Sequence, residues 1–384
     1  MRILLIALLT AGCARRATTS SEPTLDEVQA TVDAQPPEKI LLDATMVDDP
    51  SPRSRALALL LTTTDPERVA TYAAIALADA DAWVQDSGVR MLAERIDAPE
   101  VVTTLEAYVR RPDAPATTRG LAAELLVGHS DAIAQPLSEA WQAAEEPWDV
   151  APLAFAAALH GDEEAVDALS AALATGELQL DVAFLDRVGR SGLAVLEALR
   201  TGQDRVEEEL LLPYASARLH LGDNGGEQAF RRTLSDDRAL RRMEAVDYLL
   251  ELDHPASAGL LRRARSVGPE VVTWYADLAL IEKNAGSSTI LEEAYARDER
   301  EVRLAAVNVA SRLLAEDSHR KLTKAARRVV ETATRDLASE VRAAAFAAAG
   351  SVADLEIAFE EGVRDEVLSV RIEAAGAWLR QGEG

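Results

Sequence analysis

An aspartate recurs along this chain at a nearly fixed interval, each time between two alanine-rich apolar stretches. Asp65, Asp97, Asp131, Asp162, Asp223 and Asp253 stand 32, 34, 31, 61 and 30 residues apart. The long step is two periods with one degenerate unit between. A period of this length marks a stacked array, because each unit is one small supersecondary element that cannot bury its own apolar face and must use its neighbour's. Such arrays work chiefly by presenting surface. The pattern argues against a single closed core and moves the search from catalysis toward binding.

The units are expected to be helical. Hydrophobic residues make up 48% of the 384 but aromatics only 4%. Alanine and leucine fill the difference, and both favour helix strongly. The clearest unit spans 153–173. Leu153, Ala156, Ala157 and Leu159 share one helical face, Gly161 ends that helix, and Asp162 is placed to cap the next, where Ala165, Val166, Leu169 and Leu173 follow at helical spacing. The same junction recurs at Gly222-Asp223 and, with a proline shortly after, at Asp65, Asp97 and Asp253.

A second signature lies half a period away: an acidic residue, a short gap, an aliphatic-arginine pair, then alanines. It is plain at Val302-Arg303, Val341-Arg342 and Val370-Arg371, and recurs at Val89-Arg90 and Leu240-Arg241. Arg55 and Arg119 hold the arginine place without the aliphatic neighbour.

Together the two signatures resemble HEAT repeats of the short subtype named after phycobilisome lyases. The resemblance covers 38–384 and is weakest at 176–212, where both marks are lost. It implies an all-α fold, a right-handed α-solenoid of about ten helical hairpins, with first helices on one face and second helices on the other. It also implies that aspartates and arginines of neighbouring units pair along the stack. Asp65, Asp97, Asp162, Asp223 and Asp253, with Arg90, Arg303, Arg342 and Arg371, are accordingly assigned to structure. Some relatives are bilin lyases and others hydroxylases with paired His-Glu iron sites, but this chain has no His-Glu dipeptide.

The first thirteen residues carry a different message. Arg2 precedes an apolar run from Ile3 to Leu9, then small residues, then Cys13, the only cysteine. That is the layout of a secretory signal, and it resembles the bacterial lipoprotein signal, which implies acylation of Cys13. A lone thiol in an exported protein has no internal disulfide partner, and lipidation would consume it. The expected domains are a signal at 1–12, an acylated cysteine and flexible tether at 13–37, and the array at 38–384. In the family that this start resembles, an aspartate after the cysteine often means retention in the inner membrane, so Ala14 implies the outer membrane, facing the periplasm, over the inner one.

Chemistry is sparse. His129, His160, His220, His254 and His319 recur near multiples of the repeat, each at an expected helix C-terminus, where imidazole meets free carbonyls. Their separation suits structure rather than a shared metal. No phosphate loop, zinc motif or nucleophile elbow is present, and no cofactor or small-molecule substrate is implied. The tryptophans are expected in the core. A formal charge of −25 repels phosphate backbones, so nucleic acid is excluded as a partner and a basic one is favoured. One stretch departs from this: Arg320, Lys321, Lys324, Arg327, Arg328 and Arg335 form a basic helical face, either a solvated outer stripe or a docking strip.

The reading is an exported, lipid-anchored scaffold of the cell envelope that binds an unidentified protein and is not an enzyme. A cytoplasmic adaptor, or a lyase-type enzyme of the same family, are its alternatives.

Overall fold

Proline opens five of the helices, at Pro37, Pro50, Pro66, Pro99 and Pro147, because its missing N–H falls among donors that a first turn leaves unbonded anyway. The computed structural model describes residues 36–384 apart from 64–65, 177–181, 253, 284–286, 316–319, 353–354, 356 and 383–384. Cys13, Asp65 and Asp253 therefore lie outside the described residues, and so do the side chains of Arg320 and Lys321.

In chain order the helices are α1 (Pro37–Ala44), α2 (Pro50–Thr63), α3 (Pro66–Leu77), α4 (Ala82–Leu92), α5 (Pro99–Val109), α6 (Ala116–Leu125), α7 (Ala134–Ala143) and α8 (Pro147–Leu159). Next come α9 (Glu163–Thr175), α10 (Val182–Arg190), α11 (Leu196–Gln203), α12 (Leu211–His220), α13 (Glu227–Thr233), α14 (Ala239–Glu251) and α15 (Ala256–Val267). The last are α16 (Glu270–Glu282), α17 (Ser288–Tyr295), α18 (Arg300–Ala315), α19 (Arg320–Ala333), α20 (Ser339–Ala349), α21 (Phe359–Gly362) and α22 (Leu368–Gly382). No strand occurs among the described residues. Among the described residues there are 22 helices, and each odd-numbered one packs against the even-numbered one after it, except that α9 packs instead on α8 and α11. The fold is an all-α solenoid, and α10 to α12 continue it through the stretch that had lost both signatures.

Even-numbered helices pack along the file, from α2 through α4 and α6 to α8, and from α14 through α16, α18 and α20 to α22. Between α8 and α10 the link is an edge-to-face contact of Phe155 and Phe184, with ring centroids 5.4 Å apart. The inner position of these helices shows in α8, where Ala151 to Ala158 are all buried. A helix apolar on every side needs neighbours on every side.

The file closes on itself. Helix α22 packs against α1 and α2. Ile40, Leu41, Leu59 and Leu60 belong to the same apolar cluster as Ile372 and Ala375. A Cβ on Gly376 would meet both Leu59 methyl carbons at 2.7 Å, so only glycine lets α22 come this near. Beside it Arg55 grips both carboxylate oxygens of the buried Glu373. An open array needs polar capping units at its ends; here the two end faces cover each other.

Gly376→Leu should overpack this seam and destabilise the protein by about 1–3 kcal/mol, read from urea denaturation. Combined with Arg55→Ala it should raise the radius of gyration measured by small-angle scattering.

Candidate functional site

The second signature builds a clamp at the start of the inner helices. The guanidinium of Arg303 donates to the carbonyls of Arg297 and Asp298, at 3.2 and 2.8 Å, six and five residues back. Arg342 does the same to Asp336 and Leu337, and Arg371 to Asp365 and Glu366. Its other edge reaches the next hairpin: Arg303 pairs bidentately with Asp336 at 2.8 and 3.0 Å, and Arg342 with Asp365 at 2.8 and 2.9 Å. Fork-to-carboxylate geometry fixes both distance and angle between units. The paired aspartates are those of the second signature, not the junction aspartates.

In α2 the clamp is Arg53, which donates to the carbonyls of Val47 and Asp48 and pairs with Asp79. Arg55 was expected in that place; two residues further along the helix, it faces α22 instead. In α14 the register falls on Arg242, which donates to the Asp236 carbonyl six residues back, whereas Arg241 turns to Glu208. Arg90 bonds Asp86 of its own helix at 2.7 Å.

The junction aspartates cap unevenly. Asp162 accepts from the N–H groups of Glu164 and Ala165 and from the Trp141 indole at 3.0 Å. Asp223 accepts from the Gly225 N–H and pairs with Arg200 and Arg218; the Arg200 hydrogen bond leads in holding its carboxyl at about 2. Asp97 does not cap, since α5 starts after Ala98 with proline in its first turn. His160 meets the Ala123 carbonyl at 2.9 Å across hairpins. No group of metal-ligating side chains occurs among the described residues, and no helix there is long and apolar enough to cross a membrane.

The basic face lies on α19, whose Leu322, Ala325, Ala326, Val329, Val330 and Ala333 are buried. Arg328 pairs with Glu292 at 2.6 Å and Arg335 with Glu361 at 3.4 Å. Lys324 is exposed and Arg327 half-buried. Two of its cations are thus already matched by α17 and α21. Trp83 and Trp148, expected in the core, are 53% and 46% exposed. They occupy the first turns of α4 and α8, beside the turns within hairpins.

Two cavities among the described residues are lined mainly by inner helices. One, of about 440 Å³, lies at the seam and is bordered by Arg55, Thr62, Glu94, Ser351 and Arg380. Burial and then the charge of Arg55 lower the Arg380 pKa. The other, of about 350 Å³, spans α14, α16 and α18. Its walls include Leu250, Leu278, Leu304 and Val309, and Asp247, Tyr275 and Asn308 supply polar atoms. Asp247 is open to water but set in a concavity. Desolvation, then Glu251, push its carboxyl up to about 6, with Arg312 opposing.

No family model and no curated protein matches the chain. Among solved structures, an engineered protein is similar at 15% identity, covering 90% of this chain and 98% of its own, with a TM-score of 0.28. The UNC-45 chaperone, which binds and folds muscle myosin, is similar at 13% identity with a TM-score of 0.21; 94% of this chain and 53% of that one are covered. Both scores lie far below 0.5, so neither likeness bears on function.

Arg303→Ala should cost about 1.5–3 kcal/mol in urea denaturation, because it leaves the little-exposed Asp336 carboxylate with only the Ala338 N–H and the Tyr295 hydroxyl. Arg231→Ala, at an exposed intrahelical pair with Glu227 at 3.0 Å, should cost under about 0.5 kcal/mol. For Asp247 the sign is reversed from the usual carboxylate. Its folded value lies above the unfolded value of about 4, so stability is full below that and falls as pH rises toward 6. Asp247→Asn should therefore be more stable than the parent at pH 7 and equal to it at pH 4.

Proposed function

We propose that this chain is a protein-interaction module, held at the cell envelope through an acylated Cys13, on the outer membrane facing the periplasm. The fold supports the first part, since a file of helical hairpins offers successive, near-identical strips of surface to an elongated partner. One observation carries the choice of face. The inner helices α14, α16 and α18 share an open cavity with polar atoms at its rim, whereas the basic strip on α19 has Arg328 and Arg335 already paired. The signal-like start and the single cysteine support the anchor. No reaction is assigned.

The test uses the full chain in native envelopes, with a photo-crosslinking residue at position 308 or at position 324. Capture of a defined protein from 308 and not from 324 is expected. Capture from 324 alone would move the interface to the basic strip, and capture from neither would end the reading. Labelled palmitate should be incorporated by the parent and not by Cys13→Ala; an unlabelled parent removes the anchor.

A further inference from the structure

The cavity between α14, α16 and α18 is bordered by two carboxylates of α14, Asp247 and Glu251. Asp247 makes no hydrogen bond or ion pair among the described residues. The cation on its border, Arg312, is drawn away to Glu282, donating to both carboxylate oxygens at 2.8 Å. Tyr275 directs its hydroxyl to the Glu301 carbonyl at 3.2 Å. What remains is an anionic head above apolar walls from Leu250, Leu278 and Leu304. The matching shape is a cation on an aliphatic stem. An ammonium or guanidinium there would gain a carboxylate partner while its methylenes cover the leucines.

We propose that this cavity receives a lysine or arginine side chain from a partner polypeptide, with Asp247 as the counter-ion. The proposal rests on the reading of the chain as a protein-interaction module and names the chemistry that its inner face selects. A polypeptide is favoured over a free amine because the cavity crosses three successive hairpins, along which an extended segment can run. The groups facing Asp247 are Glu244 and Glu251 on its own helix, Tyr275 from α16 and Arg312 from α18. Of these only the carboxylates and Asp247 titrate below pH 7. Binding is therefore expected to strengthen as Asp247 ionises.

The probes are a blocked pentapeptide with a central lysine between alanines, its norleucine counterpart and free pentylamine, each followed by saturation-transfer NMR with the full chain. The lysine peptide should bind at pH 8 and about tenfold more weakly at pH 5, the ratio set by ionisation near pH 6. Asp247→Asn should lose binding to a similar degree. Asn308→Lys, which places a cation at the exposed rim, should also block it, so the result does not depend on one variant folding. Absent binding, equal binding by the norleucine peptide, or unchanged binding in both variants overturns the proposal. Pentylamine binding as tightly as the peptide assigns the cavity to free amines and overturns it too. Envelope crosslinking that captures a partner equally well in the Asp247→Asn chain would discard this site and leave the interaction module standing.

Discussion

Everything in this molecule follows from the inability of a two-helix unit to cover its own flanks. Each hairpin leaves apolar surface on both sides, and only another hairpin removes it from water. For an interior unit that condition is met by sequence neighbours. For the first and last it is met by each other, through Leu59 against Gly376 and Arg55 against Glu373. The apolar contact supplies the driving force. The ion pair adds selectivity of register, since a buried carboxylate such as Glu373 accepts few misalignments without losing its partner.

The arginine clamp sets the phase of the inner layer. It ties the first turn of an inner helix to the preceding turn and to the aspartate of the next unit, so successive helices keep a common rotation. Burial works against the charge on Asp336, yet hydrogen bonds from Arg303 and from the Ala338 N–H outweigh it and hold the carboxyl below its usual range. With rotation fixed, the residue five places after the clamp recurs at the cavities or the seam in four helices, though not after Arg342, where Ala347 lines neither. Ala58, Asp247, Asn308 and Gly376 all obey this count, and all of them border the two inner cavities or the seam.

That count explains what could and could not be read from the chain. The junction at Gly161-Asp162 was legible because capping is local: the glycine adopts a positive φ of 89° and the aspartate bonds N–H groups two and three residues on. The helices of 176–212 were legible from apolar spacing alone. Arg53 was passed over for Arg55 because, without an aliphatic neighbour, two arginines two residues apart look alike; the carbonyls six and five residues back decide between them. The seam was invisible, since Arg55 and Glu373 are 318 residues apart and each reads as surface charge. Asp247 was equally hidden, because its surroundings come from three hairpins.

Closure also restricts how this chain can have changed length. A linear stack gains or loses a unit with little penalty, as its pitch and curvature are unaffected. A circle of fixed curvature accepts only the number of members that brings the last against the first. The number of hairpins is then a closing condition, and duplication of one would split the circle, exposing on each side of the gap the leucines and alanines that now face each other.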